Sequence, residues 1–564
     1  MELTIDKKDI QFNKVDEIDL KKSKLPWVYT DEKDKLKINI NLLAKYIVYG
    51  TYSGTNESIV EYIKTSSEDA QKNNSYYIYD YTKGIWKMVN EDTFKGYIFR
   101  FIPAEIRSNS KKSELWTEVK EKNNNKKNHK FDDFNSGLEN YINFEDGMLN
   151  IETKELLPHS PKYLSTIQLP CKYKEILESK GKAPIFDKYM EDLCFEKPDY
   201  KQLLLEFIGA IVSNIPARSI KKILIMKGEG DTGKSQLRSL VEFLIGEKNS
   251  FPIQLSQLND KYMPGYLYGK RLAGHGEASS KVATNLNEFK ALTGGDQVNF
   301  ARKFDSPISF VFGGLFWYNS NFFIKFGGDR GDWVYNRLII MEFNNVIPEK
   351  NRDKKLLSKM KKEKNGIMYQ ILQYLYKFVE NDLQFDLNSD LNLLLQKCKE
   401  ENSPAVQFIN AVFDKTEKSA KEKTLKSSIY YPYQRWCDAN KMIVKSKQNF
   451  FKELEDTLKD EDGSFFCNIH GTYYLRKYRF NEKKFKLETN QGTVMNRFLN
   501  EDEIFESEYG AEKAAEKKIL DLEEKKYRIE QKRKEEITNN INNITSQNKK
   551  YEDYFMKVGE NNNE

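Results

Sequence analysis

Apolar positions recur along this chain in two periods, and they predict distinct elements. Tyr76-Tyr-Ile-Tyr-Asp-Tyr, then Thr82-Lys-Gly, then Ile85-Trp86 predict a β-hairpin. Leu42–Ile63 predict a helix, and the Asn/Lys-rich stretch Glu121–Lys130 a loop or linker. A helical region is expected next, closing with Tyr200–Val212, where Leu203, Leu204, Phe207, Ile208 and Ile211 share one face. The short run Ile223-Leu-Ile-Met226 predicts a buried strand, and Leu237, Leu240, Val241 and Leu244 a helix soon after it.

From residue 219 to about 345 strands and helices alternate, the pattern of an α/β core. Within it Val298, Phe300 and Phe304 lie at period two, and a turn at Asp305-Ser306 leads back through Ile308 and Phe310 as a second hairpin. Phe312–Tyr318 and Leu338–Phe343 read as buried strands, and Lys350–Phe378 as basic helix. Pro404 to about Phe480 forms a smaller unit of helices and a hairpin. Ala511–Ile537 is a charged helix too interrupted for a coiled coil, and Gly559–Glu564 reads as disordered.

Composition narrows the class. The 564 residues are 39% hydrophobic and 13% aromatic, enough for several cores and unlike a disordered chain. A net charge of +6 is small for this length, so any surface for nucleic acid must be local. The five cysteines are scattered without a C-x-x-C pair and the four histidines lack ligand spacing, which predicts reduced thiols in a cytosolic protein and no zinc site. The charged N-terminus and the absence of any apolar run of about 18 residues predict neither secretion nor a membrane partner.

Gly228-Glu-Gly-Asp-Thr-Gly-Lys-Ser235 fills every fixed position of a phosphate-binding P-loop, between the predicted strand and helix that such a loop requires. Gly228, Gly230, Asp231, Thr232 and Gly233 supply main-chain N–H groups, and Gln236 follows in the first helical turn. Lys234 is expected to reach the β- and γ-phosphates of ATP, and the Ser235 hydroxyl to hold Mg²⁺. Glu277, after Arg271-Leu-Ala-Gly-His-Gly, is placed to activate water and to reach the metal from its outer shell. Asn321, or Asn319, at the end of the Phe312–Tyr318 strand could sense the γ-phosphate. Arg337, before the last strand, could reach a neighbouring subunit's γ-phosphate. Arg302 and Lys303 near the hairpin tip could grip DNA phosphates.

This order of motifs, with Thr293-Gly-Gly-Asp296 ahead of the hairpin, resembles the superfamily-3 helicases of the phage/plasmid and poxvirus-type primase-helicase family. Replication initiators of staphylococcal pathogenicity islands are of that kind. Tyr141-Ile-Asn143, Asp146-Gly-Met-Leu-Asn-Ile-Glu-Thr153, Leu157-Pro-His-Ser160 and Leu205-Glu-Phe-Ile-Gly209 resemble the segments that precede the ATPase there, so the resemblance covers about Tyr76–Phe480. It departs at Ile324, where members often carry Pro; at Asn336, where many carry a second Arg; and at Ser279-Ser280, where a second acid is absent.

The resemblance implies an α/β P-loop (AAA+-like) ATPase core with an N-terminal α+β/helical domain and a C-terminal winged-helix domain. The expected boundaries are 1–130 (accessory), 131–215 (helical), 216–348 (ATPase core), 349–400 (helical lid), 401–485 (winged helix) and 486–564 (charged tail). Ser427–Cys437 would open the winged helix, Ser446–Leu454 would be its recognition helix and Phe465–Phe480 its wing. Lys447, Lys452, Arg476 and Lys477 would meet duplex origin DNA. It also implies a homo-hexamer threading single-stranded DNA, host replication proteins as partners and a bacterial cytoplasm. No Asp-x-Asp precedes residue 200, so a fused primase is not expected. Two other readings fit the same P-loop: an ATP-regulated initiator that melts an origin without processive unwinding, and a single-subunit P-loop NTPase.

Overall fold

A computed structural model describes residues 25–49, 62–65, 75–123, 129–283, 286–302, 305–327, 332–416, 424–458 and 464–489. Lys303, the predicted 511–537 helix and the terminal Gly559–Glu564 lie outside the described residues. The chain divides into two units, one through Asn402 and one from Ser403.

The first unit begins with the strands β1 (Val28–Thr30) and β2 (Leu36–Ile38), helix α1 (Ile40–Tyr49), strands β3 (Tyr62–Thr65), β4 (Ser75–Asp80) and β5 (Ile85–Val89), and helices α2 (Glu91–Phe99) and α3 (Asn109–Asn123). The predicted hairpin is β4–β5, and β3 adds a third antiparallel strand. Two expectations are corrected here. The Leu42–Ile63 helix ends at Tyr49, and Tyr62-Ile63 belong to β3, where they pair with Ile78 and Tyr77. Glu121–Asn123, expected in a loop, are the last residues of α3, and 124–128 lie outside the described residues.

Residues 131–215 are not wholly helical. They open with a three-stranded antiparallel sheet, β6 (Tyr141–Phe144), β7 (Gly147–Asn150) and β8 (Leu156–Leu157). Its strands are two to four residues long, too short for a period-two signal to stand out. Helices α4 (Tyr173–Ser179), α5 (Pro184–Leu193), α6 (Pro198–Val212) and α7 (Ala217–Ile220) follow.

Next come β9 (Ile223–Lys227), α8 (Lys234–Ile245), β10 (Ser250–Pro252), β11 (Leu272–Gly274), α9 (Asn287–Gly294), β12 (Gln297–Arg302), β13 (Asp305–Val311), β14 (Leu315–Ser320), α10 (Asp332–Tyr335) and β15 (Leu338–Glu342). Five of these strands form one parallel sheet in the order β10-β11-β14-β9-β15. Alternate residues feed opposite cores. Leu224, Met226, Trp317, Ile339 and Met341 face a cluster built largely from α4–α6, α8 and the helices after β15. Ile223, Ile225, Phe316, Tyr318, Leu338 and Ile340 face the other, which includes the hairpin residues Val298, Ile308 and Phe310. Burial on both faces explains why these strands read as unbroken apolar runs. In the hairpin β12–β13, Asp305-Ser306 do not turn the chain. They begin β13, and Arg302 pairs with Asp305 across the two intervening residues.

Helices α11 (Leu356–Lys362), α12 (Lys364–Glu380) and α13 (Ser389–Glu401) complete the unit. The second unit holds α14 (Pro404–Val412), β16 (Phe413–Lys415), α15 (Tyr430–Ala439), α16 (Lys447–Leu458), β17 (Phe466–Ile469), β18 (Thr472–Leu475), β19 (Tyr478–Phe480) and α17 (Glu482–Thr489). Phe408, Tyr433, Trp436 and Phe450 form its core, with Tyr433 and Phe450 stacked at 4.3 Å. Among the described residues no helix is long and apolar enough to cross a membrane, no cluster of three metal-ligating side chains occurs, and the five cysteines are free thiols.

A buried arginine ties α6 to the parallel sheet. Arg271 is 3% exposed and donates to the carbonyls of Ala210 (2.9 Å), Ile211 (3.2 Å), Ile215 (3.1 Å) and Gly313 (2.6 Å). Two of those carbonyls are orphans of the α6 C-terminus, whose dipole also favours a cation. Burial still lowers its pKa to about 10. Arg271→Ala removes the guanidinium from four carbonyls, the Ala210 one keeping the Ser213 hydroxyl at 3.0 Å, and is expected to cost roughly 3 kcal/mol. Thermal unfolding should show a clear fall in the apparent melting temperature; an unchanged melt would contradict this role.

Candidate nucleotide site

The glycine-rich loop joins β9 to α8 at the C-terminal edge of the parallel sheet. Its shape needs glycine at its first position. Gly228 has φ of +150°, and a Cβ there would stand 1.9 Å from the Phe343 carbonyl oxygen. Its N–H donates to the Ser320 carbonyl at 3.0 Å, fastening the loop to the end of β14. Asp231 takes a left-handed conformation, with φ of +62°. Its carbonyl accepts from Ile347 N at 3.1 Å, and its carboxylate pairs with Arg352 at 3.0 Å. Gly230 has open space around it.

The Lys234 amine lies inside the loop. Nζ donates to the carbonyls of Gly228 (2.9 Å) and Glu229 (2.6 Å) and to Thr232 Oγ1 (2.9 Å). Burial lowers its pKa below the ordinary lysine range, against the pull of Asp231. Ser235 and Gln236, in the first turn of α8, are exposed. Tyr189 of α5 supports the loop from behind, its hydroxyl donating to the Gly233 carbonyl at 2.9 Å.

Two further groups reach the same edge. The turn His275–Ala278 after β11 is laced to β14: Asn319 N donates to the His275 carbonyl (3.1 Å) and Ala278 N to the Asn319 carbonyl (2.7 Å). Glu277 lies in this turn, three residues beyond the strand, and is exposed. The two asparagines differ in surroundings. Asn319 is 2% exposed, its Oδ1 accepts from Trp317 Nε1 at 2.9 Å, and its Nδ2 is buried without a partner. Asn321, just past β14, is exposed. Strand adjacency thus gathers the loop, Glu277, Asn319 and Asn321 along one edge.

Arg337 lies at the other edge. It precedes β15, whose Leu338 pairs with Ile223 at the start of β9, and its carbonyl accepts from Ile223 N at 2.7 Å. Nη1 donates to Thr293 Oγ1 at 3.0 Å, and the guanidinium sits 5.4 Å from the Trp333 ring centre. Burial lowers its pKa while Asp296 draws it upward. Thr293 and Asp296 of the Thr-Gly-Gly-Asp segment are therefore its neighbours within the chain. Arg302 ends β12 at the hairpin turn. Lys447 and Lys452 are exposed on α16, and Arg476 and Lys477 are half-buried between β18 and β19, all four in the second unit.

Sequence reasoning missed Tyr189, Arg352, Lys197, Lys227 and Arg238. Arg238 of α8 is 3% exposed and donates to the carbonyls of Trp317 (2.5 Å) and Gly274 (3.2 Å), so one guanidinium joins α8 to the middle of β14 and the last residue of β11. Lys227 and Glu342, the last residues of adjacent strands, pair at 2.5 Å, and Lys197 Nζ donates to the Glu342 carbonyl at 2.9 Å. Only position relative to the loop motif hinted at Lys227 and Arg238; the others are far away in sequence.

Residues 60–209 match the family described as D5 N terminal like, and residues 226–337 match a family of unknown function, DUF5906. These matches support a phage-type primase-helicase family for this chain, and with it a protein of DNA replication. Among solved structures, the apo C-terminal region of NrS-1 aligns at 12% identity over 74% of this chain and 96% of that one, with a TM-score of 0.41. An A-form apo structure of the same region aligns at 14% identity over 72% and 94%, with a TM-score of 0.39. Both likenesses are too weak to bear on the arrangement described above.

Burial opposes ionisation of Glu342, but its hydrogen bond and charge pairing with Lys227 outweigh it and hold its pKa below the ordinary value. A carboxyl depressed on folding stabilises above its unfolded pKa of about 4 and loses that contribution as pH falls through the folded value. Glu342→Gln should therefore narrow the gap in melting temperature between neutral and acidic buffer. An undiminished gap would show that the pair contributes nothing.

Proposed function

We propose that this protein is an ATP-dependent replicative DNA helicase and replication initiator of a mobile element, a phage, plasmid or pathogenicity island. It works as a ring-shaped homo-hexamer, with an AAA+-like core and a winged-helix second unit. The observation that carries the reading is the polarity of β9. Its C-terminal end enters the glycine-rich loop, and its N-terminal end adjoins Arg337. Five strand residues span about 16 Å, so Arg337 is out of reach of its own loop. An arginine there is useful to a neighbour's nucleotide.

The loop's chemistry fits a nucleoside triphosphate. The Lys234 ammonium, now satisfied by main-chain carbonyls, is placed for phosphate oxygens. The exposed Ser235 hydroxyl would hold Mg²⁺, which neutralises phosphate charge when bound. Exposed Glu277 orients and deprotonates the attacking water. Asn321 is free to meet the γ-phosphate, whereas Asn319 already spends its carbonyl on Trp317 and offers only the buried Nδ2. Arg337 of one protomer stabilises the charge that develops on its neighbour's phosphate.

Hydrolysis moves the β12–β13 hairpins, whose Arg302 and Lys303 track one DNA strand through the ring. In the second unit α16 and the β17–β18 hairpin, with Lys447, Lys452, Arg476 and Lys477, meet duplex DNA at an origin.

Two experiments test this. Lys234→Ala and Arg337→Ala should each abolish ATPase alone, while mixtures recover part of it because some interfaces regain both residues. No recovery from mutants that still assemble would contradict a shared site. Arg302→Ala combined with Lys303→Ala should abolish strand displacement and leave basal ATPase intact; equal loss of both would make the hairpin structural.

A further inference from the structure

A cluster of lysines sits at the N-terminal edge of the parallel sheet, away from the glycine-rich loop. Lys83 lies in the β4–β5 turn and Lys87 on β5, Lys248 precedes β10, and Lys270 precedes β11. Main-chain and side-chain hydrogen bonds knit these stretches together. The Gln168 side-chain amide donates to the Lys83 carbonyl, and Asn249 Nδ2 donates to the Gln168 carbonyl at 3.3 Å. Arg271 N donates to the Asn249 carbonyl at 2.8 Å, and Lys270 Nζ to the Lys248 carbonyl. The lysines are therefore carried by a fixed scaffold.

Their charges are poorly balanced. Asp80 pairs with Lys87 at 2.7 Å. Among the described residues neither Lys83, Lys248 nor Lys270 meets a carboxylate in an ion pair, and the nearby Glu247 joins none of them. The Lys248 amine is lowered by burial and then by the charges of Lys83, Lys87 and Lys270, and burial also lowers Lys270. An anion on this surface relieves that crowding.

The arrangement favours a phosphate backbone over an acidic protein. A protein interface centres on apolar side chains. The exposed apolar residue on β5, Met88, points to the opposite face of the strand from Lys87. Lysines act as point charges and suit sequence-independent contacts to phosphate.

We propose that Lys83, Lys248 and Lys270, with Lys87 beside them, form a second DNA-backbone site at the sheet edge opposite the nucleotide loop. It rests on the reading that DNA is the partner, and its residues belong neither to the β12–β13 hairpin nor to the second unit. Phosphates of a bound DNA segment lie across β4–β5 and the leads into β10 and β11, independently of base sequence.

The test measures binding of full-length protein to a mixed-sequence DNA duplex across a salt series. Lys83→Ala, Lys248→Ala and Lys270→Ala together should weaken binding about tenfold or more near 0.1 M salt and flatten the salt dependence by about two charges. Basal ATPase without DNA should stay at the wild-type value, and the matching triple Arg variant should bind as the wild type does. Lys83→Glu, at an exposed turn, gives a second readout if the triple variant melts early: a several-fold loss is expected.

Unchanged affinity and salt slope in both variants would overturn the proposal. So would loss of polyglutamate binding with DNA binding intact, which would assign the surface to an acidic protein. So would inorganic phosphate binding that needs these lysines while DNA binding does not. The hairpin variant in the same assays separates the two readings. If it loses strand displacement while the lysine variants bind normally, only this second site fails. If the wild-type chain neither binds nor displaces DNA, the helicase reading fails with it.

Discussion

A parallel strand has two chemically different ends, and in β9 they are separated by the length of five residues, about 16 Å. That separation governs everything proposed for the site. The loop that suits phosphates must follow the C-terminal end, where the chain turns into α8 and main-chain N–H groups converge. Arg337 enters at the N-terminal end of the adjacent β15, held by Thr293 and near Asp296. Both ends are fixed by the same parallel ladder, so neither can move to the other without undoing the sheet. The half-buried guanidinium is kept apart from its own loop, which is what the proposed role at a second protomer's loop requires.

The edge that carries the loop is held by main-chain contacts and buried cations together. Gly228 packs against Phe343 so closely that no side chain fits, and Gly274 likewise approaches Trp317, where a Cβ would stand 2.1 Å from the carbonyl oxygen. Arg238 bridges β11 and β14 from α8, and Tyr189 braces Gly233 from α5. Arg271 does the same at the opposite edge by closing the end of α6. These buried donors reach carbonyls of β11, β14, the loop and α6, several of which also accept another hydrogen bond, and so tie the loop and the Glu277 turn to the sheet. Such rigidity suits a site whose chemistry depends on placement of charge.

Much of the core was legible in the sequence because burial on both faces writes strands as continuous apolar runs, as in Ile223–Met226 and Leu338–Met341. The strand–loop–helix unit was legible for the same reason, aided by the spacing of its glycines. Short or half-exposed elements were not. The β6–β8 sheet has strands of two to four residues, and Tyr62-Ile63 continued an apolar pattern that looked helical. Asp305 and Ser306 are residue types that favour turns, yet pairing of Arg302 with Asp305 draws them into β13. Tyr189, Arg352 and the basic cluster with Lys83, Lys248 and Lys270 come together only through tertiary contacts between distant stretches. No local pattern announces such a meeting.

The central claim, that one nucleotide site is completed by two protomers, is tested most directly by ATPase activity per mole of chain as a function of protein concentration, with assembly followed by mass measurement on the same samples. A shared site requires specific activity to rise through the concentration range in which rings form and to vanish among isolated chains. Full specific activity in a population of single chains, flat across that range, would contradict it.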